Sequence, residues 1–310
     1  MEIKKCCRCG TRVASFTMLM VTMIAPLVQA GENGASVYPI GVETVMPGMT
    51  PPPHGTMLYE YTAFVSANQV DDQNGNAVPV EFRLRVFANA IKVNHNWGVH
   101  ILGGTLESNI AIPFIDQQLH VIPGLFSKFA VGNVAISPLG LAYARGHVHF
   151  YYEGDLFFPG TGHSSTDVLN IGQNNYAAGP VGGITYLAGK EEISSKLQYL
   201  FNLEDVPTQY KSGQEFLWEF DGMHAIHRKV AVGVNGYLYK QTTNDLMNNL
   251  VYNNGNRGRD LGIGPEVRFN LIAHGGFAVK YLHDTLVENK PPTNAFWFQL
   301  AVPITVGHRE

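Results

Sequence analysis

The chain has 310 residues, with 21 Lys plus Arg against 25 Asp plus Glu, a formal net charge of −4, and only 15% charged residues. An apolar content of 45% excludes an intrinsically disordered or collagen-like chain, and the lack of any Lys/Arg-rich stripe excludes a basic nucleic-acid binder. Few charges, 33 glycines and 34 aromatic residues (17 Phe, 14 Tyr, 3 Trp) point to an all-β protein whose exterior does not face only water.

The chain opens like a secretory signal. Lys4, Lys5, Arg8 and Arg12 form a positive leader, Val13 to Val28 is mostly apolar, and Val28-Gln29-Ala30 ends in a small residue of the kind signal peptidase accepts. Cleavage after residue 30 removes four basic residues and one acidic one, leaving 17 against 24 and a net charge of −7. It also removes all three cysteines, Cys6, Cys7 and Cys9, which suits an oxidising compartment without disulfides. An uncleaved anchor is the competing reading, but Ser15, Thr17, Thr22 and Pro26 weaken it.

Residues 31–53 carry Pro39, Pro47 and the run Pro51-Pro52-Pro53 among Val37, Tyr38, Ile40 and Val42. This is too apolar for a comfortable flexible leader. It is expected to fold back as a plug-like segment inside whatever follows, with a disordered tail as the alternative.

Residues 54–304 show twelve stretches of period-2 alternation, at roughly 55–67, 80–93, 98–112, 131–143, 147–157, 176–187, 191–203, 214–224, 230–242, 259–272, 277–287 and 294–304. Most exceed the usual strand length of about 5–6 residues and suit tilted strands that cross a bilayer, which need about 9–11. Short turns such as Ala144-Arg145-Gly146 and Ala188-Gly189-Lys190 alternate with long loops such as Gln69 to Pro79. That alternation is expected of an outer-membrane barrel and has no cause in a soluble sandwich. An even strand number places both termini on the short-turn, periplasmic side, and residues 305–310 are a C-terminal tail.

The faces are predicted from the alternation. Val148, Phe150, Tyr152 and Leu156 share one face, as do Phe216, Trp218 and Phe220, and Val80, Phe82, Leu84, Val86, Ala88 and Ala90. The opposite faces mix acids and bases in mid-strand, as groups paired across a narrow lumen would. The residues expected to face the lumen are Glu60, Glu81, Arg83, Arg85, Glu107, His147, His149, Glu153, Asp155, Lys196, Glu219, Glu266, Arg268 and Lys280. Pro138, Pro180 and Pro265 fall inside strands of a barrel that has no edge to host them, and so mark bulges or misplaced boundaries.

Phe114, Phe126, Phe129, Phe157 and Phe158 lie in or beside predicted long loops and are candidate ligand contacts at the mouth. His147-x-His149 puts two imidazoles on one face, read as lumenal histidines beside carboxylates rather than as a metal site. Asp71 to Asn76 lacks the closing glutamate of a calcium loop and reads as an exposed turn. No Gly-x-Ser-x-Gly elbow occurs, and His163-Ser164 are sequence neighbours, which rarely form a nucleophile pair. A barrel hydrolase is therefore the weaker alternative to a non-enzyme, and no cofactor or metal is expected.

Gly31 to Pro39, Tyr152-Glu153-Gly154-Asp155, Gly264 to Phe269 and Lys280-Tyr281-Leu282 resemble the outer-membrane family of the meta-pathway of phenol degradation, which includes the sphingosine-induced outer-membrane proteins. The resemblance covers nearly all of the chain after the signal. It implies a closed antiparallel transmembrane β-barrel in the bacterial outer membrane, linked to passive uptake of hydrophobic or aromatic compounds. It is similar in role to long-chain fatty-acid transporters, whose N-terminal segment plugs the barrel. The partners expected are outer-membrane lipid, a hydrophobic small-molecule solute and the barrel-assembly machinery, with no nucleic acid. A structural or receptor barrel without an open path is the other reading.

Overall fold

The computed structural model describes residues 36–121, 124–272 and 275–305. The predicted signal, residues 1–30, and most of the predicted tail lie outside them. Twelve antiparallel strands follow one another around a closed sheet. They are β1 (Thr56–Ala67), β2 (Phe82–Ile101), β3 (Gly104–Val121), β4 (Gly124–Val131 and, after two residues, Val134–Arg145), β5 (Val148–Phe158), β6 (Ala177–Ala188), β7 (Glu191–Asn202), β8 (Glu215–His227), β9 (Val230–Gln241), β10 (Arg259–Ile272), β11 (Gly275–Asp284) and β12 (Asn294–Thr305). The seam closes between β12 and β1, where Phe296 pairs with Phe64, which in turn pairs with Phe87 on β2. Closure pairs each of the twelve strands on both sides, the condition for a sheet that crosses lipid, and among the described residues of the barrel only the stretch Gly124–Val131, at the loop end, pairs on one side alone.

Two-residue turns join the strands at one end: Leu102-Gly103, Gly146-His147, Gly189-Lys190 and Arg228-Lys229. Leu102 and Gly103 both have positive φ, 51° and 81°, the signature of a tight primed hairpin. Long connections lie at the other end, at 68–81, 159–176, 203–214, 242–258 and 285–293.

The structure corrects one hairpin. Residues 94–97 are not a turn: β2 runs on through a bulge at Gly98 (φ 70°), and the strands flanking the true turn are 20 and 18 residues long. Likewise 113–121 and 124–130 are not a loop but the continuation of β3 paired with the first part of β4. Pro138, Pro180 and Pro265 each sit where a ladder is interrupted. Pro138 lies in the bulge between Ile136 and Gly140, Pro180 in the unpaired step between Ala178 and Val181 facing β7, and Pro265 between Ile263 and Glu266 facing β11. The missing N–H therefore costs no ladder hydrogen bond there.

The amphipathicity is inside out. Leu197, Ile193, Ile184, Tyr186, Phe201, Ile263 and Phe296 are 43–63% exposed on the outer wall, while Lys196, Glu219, Glu266 and Lys280 are 1–2% exposed inside. On β2 the outward residues from Phe87 to Trp97 span ten residues. At about 3.4 Å per residue and a tilt near 40° this is about 25 Å, the height of a barrel's apolar band.

Candidate functional site

The lumen is filled by the segment that precedes β1. Val37, Tyr38 and Val42 are buried against Tyr61, Leu217, Tyr237, Leu282 and Trp297, inward residues of β1, β8, β9, β11 and β12. The segment makes a type II-like turn in which Val42 N donates to Pro39 O (3.2 Å), with Gly41 at φ 83° as that turn requires. A second turn, Met49 N to Met46 O (2.9 Å), has Pro47 at its second position.

Polar contacts tie it to the wall from the loop end to the turn end. Ser36 Oγ donates to Glu215 Oε2 (2.5 Å), and Tyr38 Oη donates to Glu219 Oε2 (2.6 Å) while accepting from Lys196 Nζ (2.6 Å). Lys280 Nζ donates to the carbonyls of Gly41 and Val42 and to Thr44 Oγ1, each at 2.8 Å. Met46 N donates to Asp221 Oδ2 (3.2 Å), Gly48 N to Thr185 Oγ1 (3.0 Å), and Asn96 N to Gly55 O (3.0 Å).

Glu43 is the hub. Its two carboxylate oxygens lie 2.6 Å from Lys92 Nζ on β2 and 2.7 Å from Lys196 Nζ on β7, so one side chain bridges two distant strands. Burial alone would raise its pKa. The two ammonium groups outweigh burial and hold the carboxyl well below the usual carboxylate range. Burial and the neighbouring Glu219 and Glu43 carboxylates push the Tyr38 phenol well above its ordinary value, so its proton stays available to Glu219.

The structure places Glu107, Glu153, Asp155, Lys196, Glu219, Glu266, Arg268 and Lys280 inside, all buried, with His149 half-buried on the same face of β5 as Glu153. Asp155 accepts from Gln198 Nε2 (2.7 Å) and from Ser137, and Arg268 is paired with Glu192 through its two terminal guanidinium nitrogens.

Five expected lumenal residues are elsewhere. Glu60 is on the outer face of β1, hydrogen-bonded to Thr62 and Asn89. Arg83 and Arg85 point outward near the loop end of β2, and Glu81 is exposed beside His120 (3.5 Å). His147 is exposed in a short turn. The reason for the β2 reversal is physical. Near the loop end the wall rises out of hydrocarbon, so its outer face turns polar, while Phe82, Leu84, Ala88 and Ala90 turn in to pack within the barrel. Of the mouth phenylalanines, Phe126 and Phe157 face inward. Phe114, Phe129 and Phe158 share the outward parity of their strands, and Phe129 is 68% exposed.

Sequence reasoning missed Glu43, Lys92 and Glu192, and it named Tyr38 only as an apolar member of the 31–53 segment. Lys92 carried a usable signal: it is a lone cation with the parity of Ala88 and Ala90, which an inward-facing β2 would have explained.

Four cavities follow one side of the segment. An apolar one of about 240 Å³ at the loop end is lined by Leu84, Val86, Ile115, Leu119 and Leu169 and floored by Val37 and Pro39. It shares Pro39, Pro113 and Asn133 with a cavity of about 50 Å³, which shares Glu43, Tyr61 and Lys92 with one of about 40 Å³. That in turn shares Val45, Met46, Met49 and Tyr59 with a cavity of about 280 Å³ at the turn end.

Outside the lumen, Ser164 Oγ contacts Thr166 Oγ1 (3.0 Å), and His163 lies 3.8 Å from Asp205. Asp72 Oδ1 accepts from the amides of Asn74 (2.8 Å) and Asn76 (2.9 Å), a local turn. Among the described residues, no group of three or more His, Cys, Asp or Glu is placed to hold a metal ion.

A family profile described as "Putative MetA-pathway of phenol degradation" matches residues 67–300. No curated protein matches the sequence. The backbone resembles an outer-membrane channel from Pseudomonas putida F1, with a TM-score of 0.70 at 14% identity, over 87% of this chain and 100% of that one. Looser likenesses include the translocator domain of the autotransporter NalP from Neisseria meningitidis (TM-score 0.46, 10% identity, 81% and 88% covered) and a FadL homologue from Pseudomonas aeruginosa (0.40, 8%, 85% and 97%). A closed antiparallel barrel, apolar outside and charged within, is a protein of the bacterial outer membrane.

Proposed function

The chain belongs to the family described as "Putative MetA-pathway of phenol degradation", and from that premise we propose that it is a passive channel for small hydrophobic or aromatic compounds, or for long-chain amphiphiles. The observation that carries this reading is the string of cavities beside the lumenal segment, apolar at the loop end and methionine-lined at the turn end. A hydrophobic solute enters slowly through a leaflet of densely charged glycolipid. The apolar recess at the loop end receives it, and a path beside the segment delivers it to the periplasm.

In this reading the segment acts as a plug. The two middle cavities, about 50 and 40 Å³, are too small for an aromatic solute, so passage requires the segment to shift about Glu43. The same narrowing favours the second reading, a receptor or structural barrel without a path. No catalytic group is assigned in either.

Proteoliposomes separate the two. Uptake of a labelled neutral aromatic solute should be faster than in protein-free liposomes, and faster than uptake of a sugar of similar size. Equal uptake with and without the protein would sink the channel.

A further inference from the structure

The outer wall at the seam carries a groove separate from the lumen. Around β12, β1, β2 and β3 the pairing aligns outward side chains in level rows. One row is Phe296, Phe64, Phe87 and Asp116; the row above it, toward the long loops, is Asn294, Ser66, Arg85 and Gln118. Above that come Arg83 and His120. Phe64 is 5.2 Å from Phe87 between ring centroids and 6.2 Å from Phe298. These rings mark the top of the apolar band, where interfacial aromatics belong.

The two rows enclose an external groove of about 430 Å³, with phenylalanine below and Arg85 above. Arg83 and Arg85 are exposed and have no hydrogen-bonded or ion-paired partner among the described residues. Nearby Glu81 is instead placed against His120 (3.5 Å). Asp116 is the one carboxylate lining the groove. A cation held at the hydrocarbon boundary without a protein partner calls for an anion from the membrane.

We infer that this groove seats lipid A of the outer leaflet, with a phosphate on Arg83 and Arg85 and an acyl chain along Phe64, Phe87 and Phe296. Three features carry the choice. The arginines lie at the loop, or outer, end of the barrel, where the leaflet is phosphorylated glycolipid. They sit one row above aromatic rings, as a headgroup sits above its chains. Their planar guanidinium groups match phosphate oxygens in pairs.

The test is native mass spectrometry of the full barrel in detergent with bis-phosphorylated lipid A, dephosphorylated lipid A, phosphatidylglycerol or inorganic phosphate. The wild type should retain the phosphorylated lipid at least fivefold better than the Arg83→Gln/Arg85→Gln variant does. The dephosphorylated lipid should lose that advantage, and Asp116→Asn should retain at least as much as the wild type. Retention unchanged in the double variant overturns the assignment. So does equal retention of phosphatidylglycerol, displacement by inorganic phosphate at equal concentration, or a loss in Asp116→Asn, which would put the phosphate on a cation held by that carboxylate. If the double variant fails to refold, the comparison of phosphorylated with dephosphorylated lipid on the wild type makes the same decision.

Discussion

The amide nitrogen of Gly48 lies 3.0 Å from Thr185 Oγ1, and the place a Cβ would take at Gly48 is already held by the Thr185 nitrogen and the His149 carbonyl. Both obstacles are backbone of β5 and β6, which cannot yield without disturbing the barrel. Gly48→Leu should therefore lift the lumenal segment off the wall while leaving the barrel closed. Single-channel conductance in planar bilayers should rise severalfold, with heat-modifiable gel mobility unchanged. An unaltered conductance would show that the segment does not limit flow.

Glu43→Gln leaves Lys92 and Lys196 facing a neutral amide in a buried setting. Removing one partner of a buried ion pair costs about 3–5 kcal/mol. The expected result is a looser segment, read as faster protease cleavage within residues 36–55 and more frequent channel openings.

The acid response follows from the same group. A carboxyl whose folded pKa is depressed stabilises the folded arrangement above its unfolded pKa and loses that contribution as pH falls through the folded value. For Glu43 the folded value lies well below the usual range, held there against burial by Lys196 and Lys92. Conductance should thus stay constant from pH 7 down to about pH 4, near the ordinary glutamate pKa. An opening transition near pH 5 would remove Glu43 from its role as the latch.

Leu197 is half exposed at the middle of β7, on the outer face. Leu197→Arg should destabilise the refolded barrel by about 2–4 kcal/mol, measured by urea unfolding in lipid. A change under 0.5 kcal/mol would mean that this wall meets water.

Leu119→Trp should fill much of the apolar recess at the loop end, where Leu119 packs near Phe82 and Leu169. Uptake of a neutral aromatic solute should fall severalfold while folding is retained. If uptake holds, the solute takes another route.

The strand count, the all-β class and the inside-out faces of β5, β8 and β10 were legible because alternation in those strands is unbroken and their outer faces are apolar along their length. β2 misled for two reasons. Asn94-His95-Asn96-Trp97-Gly98 has the composition of a turn, yet Asn96 spends its polar groups on Pro51 O (3.1 Å), Thr105 Oγ1 (2.8 Å) and Gly98 N (3.0 Å) within a continuing strand. Arg83 and Arg85 share a face with Phe87 and Ile91, so the sign of the alternation depends on where the membrane ends, which no local pattern states. The contacts of Glu43 were illegible for another reason. Its partners lie 49 and 153 positions away, and only closure of the sheet brings them together.

The continuity of residues 36–55 with β1 also constrains biogenesis. Anchors for this stretch are contributed by β6, β7, β8 and β11, which are synthesised after it, and the β1–β12 seam is the last pairing that chain order allows. In a barrel already sealed, Tyr38 would have to be threaded up the lumen from the turn end to reach Glu219 and Lys196. A sheet that curls around the segment before the β1–β12 seam pairs avoids that passage, with the interior furnished before the wall is finished.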